Sequence, residues 1–454
     1  MISAQVRWCW AAGLAVLAAS TFGAAAASSV AVLQVEAGST SGYAPINFAG
    51  SSTVTSGGVV YHAWSSNAST YSSHAATVRN RLLSASGTAV SDIYCEYAGD
   101  FINDIYNSRA TTATKLKNAG VRVVNNSWVG STGDSATDKT VRQNLDYLIQ
   151  QADVLMTSGA VSSSSAVTPI AWYAYNGLAV RGTQGFDASS TTTSGKSHAD
   201  LWGPVIEEAS YTTPTVAGYA AALIQTAKDG SSTNGQKHLT VKSLLMTGAS
   251  KTNFSASGFT SWTRDTVNNL DTDAGAGRMD YSKSAAIFAA GEKSLAAISG
   301  SIVTSPTVST TTEGWSLDSI SSVSQEALVF YSSGAFDNLT ATLCWDVVVS
   351  GTTDIFANLD LELRPVTYVG GVYTLGSATG ITGLSSTAAN DNVEHLYYTG
   401  TLAAGYYALV VNGVSVSAAT PYGLSYAYDI AVPEPAALGL LALGVAASLR
   451  RRRA

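Results

Sequence analysis

The sequence predicts an α/β domain with a mostly parallel sheet, followed by an all-β sandwich domain. Apolar strand-like runs alternate with helical patterns as far as about residue 290, the alternation that builds helix-covered parallel sheets. Beyond Gly300 helical periodicity disappears, and short runs rich in Thr, Ser, Val and Tyr stand between turn residues, as in two-sheet β domains. A chain of 454 residues has room for two or three domains.

Taken in order, the chain opens on a targeting segment. Arg7 precedes an apolar stretch, Trp8 to Ala19, and an Ala-rich segment ending near Ala25 to Ala27. Positive, apolar and small, in that order, is a secretory signal peptide over residues 1–27; the apolar run is shorter than the ~20 residues a membrane span needs. Val30 to Val35 is then a buried strand. Gly120 to Val124, Asp153 to Met156 and Tyr175 to Val180 follow as strands, and Val141 to Gln151 and Thr215 to Ala227 as helices. In the second domain the expected strands are Ala341 to Val348, Leu359 to Leu363, Tyr373 to Leu375, His395 to Tyr398, Tyr406 to Val411 and Tyr422 to Tyr428. Trp345, Leu359, Leu361, Leu363, Tyr407 and Leu409 are its inward residues. The boundary falls near residues 292 to 310, which separates domains at 28–295 and 296–430.

The chain ends on Val432-Pro433-Glu434-Pro435, an apolar stretch from Ala436 to Leu449, and Arg450 to Arg453. This ending, 431–454, resembles the PEP-CTERM sorting signal of Gram-negative bacteria. The resemblance implies export across the inner membrane, recognition and removal of the tail by an exosortase, and a cell-envelope or extracellular destination. It also implies membrane association through a transmembrane helix over 436–449 before processing.

Composition narrows the function classes. The net charge is -7 and the only basic run is that terminal one, so a nucleic-acid partner has no electrostatic support. Charged residues make up 12%, about half the usual quarter, which suits an exported, loop-rich protein. Cys9 leaves with the signal peptide, and Cys95 and Cys344 are too sparse a pair to imply a disulfide. No metal-ligand spacing and no cofactor motif is present.

The strongest chemical signal is Ala209-Ser210-Tyr211-Thr212-Thr213-Pro214-Thr215-Val216-Ala217-Gly218, running into Tyr219 to Ile224. Ser210 stands four residues before a proline, at the start of a helix of small residues. Proline fits a first helical turn, and a serine there meets unpaired N–H donors that suit a developing oxyanion. Spacing alone leaves a plain N-cap serine as the alternative.

This segment resembles the subtilase nucleophile motif, Gly-Thr-Ser-x-Ala-x-Pro-x-Val-Ala-Gly, with Glu208 and Ala209 in place of Gly-Thr and Thr212 in place of an alanine. Other landmarks of that family occur in order. Gly120 to Trp128 resembles the strand that lines the substrate cleft, which implies cleft roles for Asn126, Ser127 and Trp128. Tyr175 to Gly182 resembles the strand beyond the oxyanion region, and Ala274 to Asp280 the turn near the end of the catalytic domain. Of the five histidines, only His74, in Ser72-Ser73-His74-Ala75-Ala76-Thr77-Val78, resembles the family's histidine motif, which opens a helix. Arg79 and Asn80 replace its usual Ala-Gly. The first strand ends in Glu36-Ala37-Gly38 where the family has Asp-Thr-Gly.

The resemblance therefore implies a subtilisin-like serine endopeptidase acting on polypeptide substrates. Ser210 is its nucleophile, His74 its base and Glu36 the carboxylate that orients the imidazole. The oxyanion region maps to Gly159, Ala160 and Ser210, but the family's Ala-Ala-Gly-Asn is here Thr157-Ser158-Gly159-Ala160, without the Asn donor. Ser162 to Ser165 or the Ser210 backbone would have to compensate. No pro-segment fits between the signal peptide and the first strand. The alternative is a weakly active or inactive envelope or matrix binding module on the same scaffold. Glu96 and Asp100 share the Glu-x-x-x-Asp spacing of sedolisin relatives, a spacing that arises easily by chance, and Gly99 interrupts any helix between them.

Overall fold

The computed structural model describes residues 29–38, 42–65, 70–160, 170–182, 196, 199–205, 207–252, 261–264, 267–321 and 323–431. The signal-peptide segment, residues 432–454 of the sorting segment and Ser162 to Ser165 lie outside the described residues. One expectation is corrected: among the described residues no helix is long and apolar enough to cross a membrane, so no transmembrane helix belongs to the described structure. The stretch 436–449 is itself outside it.

The first domain runs β1 (Val30–Glu36), β2 (Thr53–Ser56), β3 (Val59–Ala63), α1 (Ser73–Ser86), β4 (Val90–Tyr97), α2 (Ala98–Asn118), β5 (Val121–Asn126), α3 (Ser135–Ala152), β6 (Leu155–Gly159), β7 (Leu178–Arg181), β8 (Leu201–Trp202), α4 (Ala209–Asp229), α5 (His238–Thr247) and α6 (Tyr281–Ala289). The eight strands form one sheet in the order β2-β3-β4-β1-β5-β6-β7-β8. Only β2 and β3 pair antiparallel; the rest are parallel. After β1 the chain builds β2 to β4 on one side and then crosses to build β5 to β8 on the other. The carboxyl end of β1 is thus the point where strand order reverses, where open α/β sheets form their binding crevice.

Strand parity decides what faces that crevice. Ala31, Leu33 and Val35 pack into one core with α2 and α3, whereas Val30 and Val32 pack into the opposite core with α1, α4 and α5. Alternation carries Gln34 and Glu36 to the α1–α4 side. Those two helices lie in direct contact at Gly218, where a Cβ would stand 2.3 Å from Leu82 O and 2.8 Å from Ala85 Cβ.

The second, β-rich domain contains β9 (Ala296–Ser299), β10 (Ile302–Val303), β11 (Glu313–Ile320), β12 (Gln325–Ser332), β13 (Phe336–Trp345), β14 (Val348–Ser350), β15 (Thr353–Ile355), β16 (Asn358–Val369), β17 (Val372–Leu375), β18 (Ser385–Ser386), β19 (Val393–Tyr398), β20 (Gly405–Ser415) and β21 (Thr420–Ile430). Its architecture differs from an open two-sheet sandwich. In the larger sheet, β17-β10-β9-β12-β20-β16-β18, strand β17 also pairs with β16, which closes six strands into a barrel. Closure removes the free edges an open sheet would expose. The four-stranded sheet β11-β21-β13-β19 shares a core with the barrel wall, and Trp345, Leu359, Leu361, Leu363, Tyr407 and Leu409 all point into it. Cys95 and Cys344 are buried free thiols.

Candidate active site

Glu36 ends β1 at the reversal point and is 1% exposed. His74 is the second residue of α1, whose first turn is capped by Ser72, its hydroxyl accepting from Ala75 N–H. The cap fixes the helix start, and the start delivers the imidazole: His74 Nδ1 lies 3.0 Å from Glu36 Oε2. A carboxylate on Nδ1 holds the proton there and leaves Nε2 as the acceptor nitrogen. The His74 side chain is 38% exposed, so the pair is a buried anion with an accessible imidazole.

Burial raises the Glu36 carboxyl above its ordinary range, opposed by hydrogen bonds from His74 and Gln34. The hydrogen bond to Glu36 raises His74 above the ordinary histidine value, against a smaller opposing effect of burial, and the charges of Glu36 and Glu208 add to the rise. Gln34 was not legible as a site residue. Its amide donates to Glu36 Oε1 at 3.0 Å and to Ala75 O at 2.9 Å, so it ties the carboxylate to the helix that carries His74. The available signal was a polar residue inside an apolar run, two positions before the carboxylate and therefore on its face.

Ser210 is the second residue of α4, after N-cap Glu208, whose side chain makes no capping bond. It is therefore not the N-cap; the N–H groups of Tyr211 and Thr212 both donate to Glu208 O, at 2.9 and 3.1 Å, whereas the Ser210 N–H precedes the first intrahelical bond. Pro214 sits inside the helix, in the second turn rather than the first; it has no N–H to give to the Ser210 carbonyl. One residue earlier, Thr213 Oγ1 donates to Ala209 O at 2.6 Å. Tyr211, the next residue, has its ring centroid 5.5 Å from that of His74, and Arg81 of α1 pairs with Glu207 ahead of α4. With contact at both His74–Tyr211 and Leu82–Gly218, α1 and α4 run side by side with their N-termini together. Among the described residues no hydrogen bond joins Ser210 Oγ to His74.

The remaining expected site residues fall around this junction. Gly159 ends β6 against the start of α4, where a Cβ would stand 3.0 Å from Thr213 Oγ1 and 3.5 Å from Ala209 Cβ. Ala160 N–H is already donated to Val180 O at 3.0 Å. Asn126, Ser127 and Trp128 are 0%, 3% and 6% exposed and bonded among their neighbours. Trp128 Nε1 donates to Asn126 Oδ1 at 3.0 Å, and Asn125 Nδ2 to Ser127 Oγ at 2.9 Å. Glu96 ends on β4 while Asp100 is in the first turn of α2, so the two do not share a helix face; burial pushes the Glu96 carboxyl up to about 7.

A second histidine cluster lies between the domains. His238 Nδ1 is 2.9 Å from Asp153 Oδ1 and Nε2 is 3.0 Å from Asp346 Oδ1. Burial disfavours its charge, but the carboxylates, Asp346 first, raise it to about 9. With a carboxylate on each nitrogen this ring has no lone pair free to take a proton. Among the described residues no group of three or more His, Cys, Asp or Glu is arranged to hold a metal ion.

Residues 431–453 match the PEP-CTERM protein-sorting motif, which is consistent with sorting to the envelope or the extracellular space and implies engagement by exosortase-type sorting machinery. No curated protein matches the chain. Among solved structures the chain is similar to the prenylagaramide maturation protease PagA (16% identity, 56% of this chain and 91% of that one, TM-score 0.35). It is also similar to the patellamide maturation protease PatA (15%, 56% and 95%, TM-score 0.36) and to a lanthipeptide protease (12%, 57% and 87%, TM-score 0.37).

Proposed function

We propose that this protein is an exported serine endopeptidase of the subtilisin type, working through Glu36, His74 and Ser210. The observation that carries the reading is the buried Glu36–His74 pair at the strand-order reversal, beside the helix start that holds Ser210. His74 Nε2 takes the Ser210 proton as Oγ attacks the scissile carbonyl. Glu36 stabilises the imidazolium, and water resolves the acyl-enzyme with His74 again as base. The oxyanion is received by the Ser210 N–H at the start of α4 and by the positive end of the helix dipole. On this reading residues 28–295 are the peptidase domain, and the β-rich domain over 296–430 serves substrate binding or surface attachment.

One set of observations favours a second reading, an inactive binding module: the sequence after β6 has no Asn, Ala160 N–H is committed to Val180, and among the described residues Ser210 Oγ makes no bond to His74. Losing one oxyanion donor costs ~2.7–4 kcal/mol, which slows an enzyme without abolishing it. Hydrolysis of unfolded casein by the purified full-length chain separates the two. The peptidase reading expects cleavage that disappears in both Ser210→Ala and His74→Ala. Cleavage that survives Ser210→Ala, or its complete absence in folded wild-type protein, contradicts it.

A further inference from the structure

We propose that Glu208 and Tyr211 form a cation-selective subsite, so that this protein cleaves next to lysine or arginine in its polypeptide substrate. The inference rests on the peptidase reading above and adds the substrate class to it. Two side chains converge beside Ser210. In α4 that serine is flanked by N-cap Glu208 and by Tyr211, the third helical residue. These two positions stand on the same side of a helix start, the relation that lets their side chains meet in a capping box.

Tyr211 is only partly buried. Its ring centroid lies 5.5 Å from that of His74, with the two planes tilted by 40°. The ring therefore stands against the imidazole that receives the Ser210 proton, and a chain whose scissile carbonyl reaches Ser210 runs past it. Glu208 is exposed, its side chain makes no capping bond, and among the described residues it has no ion pair. Its charge reaches the site all the same, because it helps to raise His74. The carboxylate projects from a fixed backbone: a Cβ on Gly182, just after β7, would stand 2.6 Å from Glu207 O and 2.7 Å from Glu208 C.

The cations of α1 are already engaged. Arg81 pairs with Glu207, and Arg79 donates to Asn80 Oδ1 and Pro45 O. Glu36, the other carboxylate beside His74, is buried and bonded on both oxygens. Glu208 is thus the carboxylate left open to a substrate. An aromatic ring and an open carboxylate on one side of a helix start suit an ammonium or a guanidinium. An acidic side chain there would meet the like charges of Glu207 and Glu208, and a neutral one would leave Glu208 unmatched. The substrate class is therefore a polypeptide with Lys or Arg as one of the two residues joined by the scissile bond.

The test gives the full-length protein pairs of short peptides that differ only in carrying lysine or norleucine, with cleavage located by mass spectrometry. Next to the scissile bond kcat/KM is expected to favour lysine about tenfold, the combined effect of an exposed charge pair and a cation–ring contact. The lysine-to-norleucine ratio should fall close to unity in Glu208→Gln and shrink at ~0.5 M sodium chloride. Tyr211→Leu should lower it about threefold, while Tyr211→Phe keeps it. Each ratio is taken within one variant at one pH, so a change in His74 basicity cancels. Equal rates for lysine and norleucine on both sides of the bond, or a preference that survives Glu208→Gln, overturn the proposal. If folded wild-type protein cleaves neither peptide, the peptidase reading fails separately, and the affinities of Ser210→Ala for the two peptides decide the subsite. Equal affinities then overturn it; tighter lysine binding that is lost when Glu208→Gln is added supports it.

Discussion

A carboxylate removed from water keeps its charge only where hydrogen bonds replace the water, and Glu36 receives one on each oxygen, from Gln34 and from His74. Glu is one methylene longer than Asp and has one more torsion to fix, and Gln34 holds the oxygen that His74 does not. Gln34→Leu keeps roughly the volume but removes both bonds and leaves Glu36 Oε1 without its donor. We expect it to lower kcat more than it raises KM, with stability reduced by ~1–3 kcal/mol; kinetics and denaturant melts on the same variant check both. The pH dependence has a definite sign. His74 must be neutral to accept a proton, and its hydrogen bond to Glu36 raises it, so activity should rise through an apparent pKa above ~6.5. In Glu36→Gln that limb should move to lower pH and kcat should fall ~10⁴-fold; a limb that does not move removes Glu36 from the role. Glu36 and His74 were legible because each belongs to a local sequence pattern. Gln34 was not, because its partner Ala75 is 41 residues away.

At the scale of elements, the site depends on two helices delivering their first turns to one place. The closeness is set by Gly218, whose missing Cβ would meet Leu82 O at 2.3 Å, backbone that cannot rotate aside. Gly218→Ala should therefore push α1 from α4. Overpacking of this kind costs ~1–3 kcal/mol, and activity should fall by more than the unfolded fraction explains, because His74 and Ser210 ride on the two displaced helices. A thermal melt and a specific-activity measurement together separate the two effects. Helix α4 was largely legible from its run of small residues and its proline. Its start was not: the helix begins at Ala209, so Pro214 falls in the second turn. A buried, tightly packed context there overrides the usual first-turn preference of proline. The end of β6 shows the reverse case: the missing Asn is legible in the sequence, but only the structure reveals that Ala160 N–H is already spent on Val180.

Across the whole molecule, the two domains are joined by buried polar contacts rather than by a flexible tether. Asn176 exchanges hydrogen bonds with Val347 at 2.7 and 3.0 Å, Gln143 donates to Thr352 O at 3.0 Å, and His238 bridges Asp153 and Asp346. Because the His238 pKa is raised to about 9 from an unfolded value of ~6.5, its contribution is full below pH ~6.5 and lost as pH rises through about 9. Global stability should thus fall over that window by up to ~3 kcal/mol, and His238→Asn should flatten the dependence; urea melts at pH 6 and pH 9 test this. The two-domain order was legible from the change of periodicity near Gly300. Barrel closure was not, since it depends on β17 pairing with both β10 and β16, and register between short strands distant in sequence leaves no local trace. Peptide hydrolysis at this site requires Ser210 to be a nucleophile activated by His74. The most direct measurement is intact-mass analysis and peptide mapping of the folded protein after treatment with a fluorophosphonate. One adduct is expected, on Ser210, absent in Ser210→Ala and strongly slowed in His74→Ala; folded protein that stays unmodified, or an adduct on another residue, contradicts a Ser210 nucleophile.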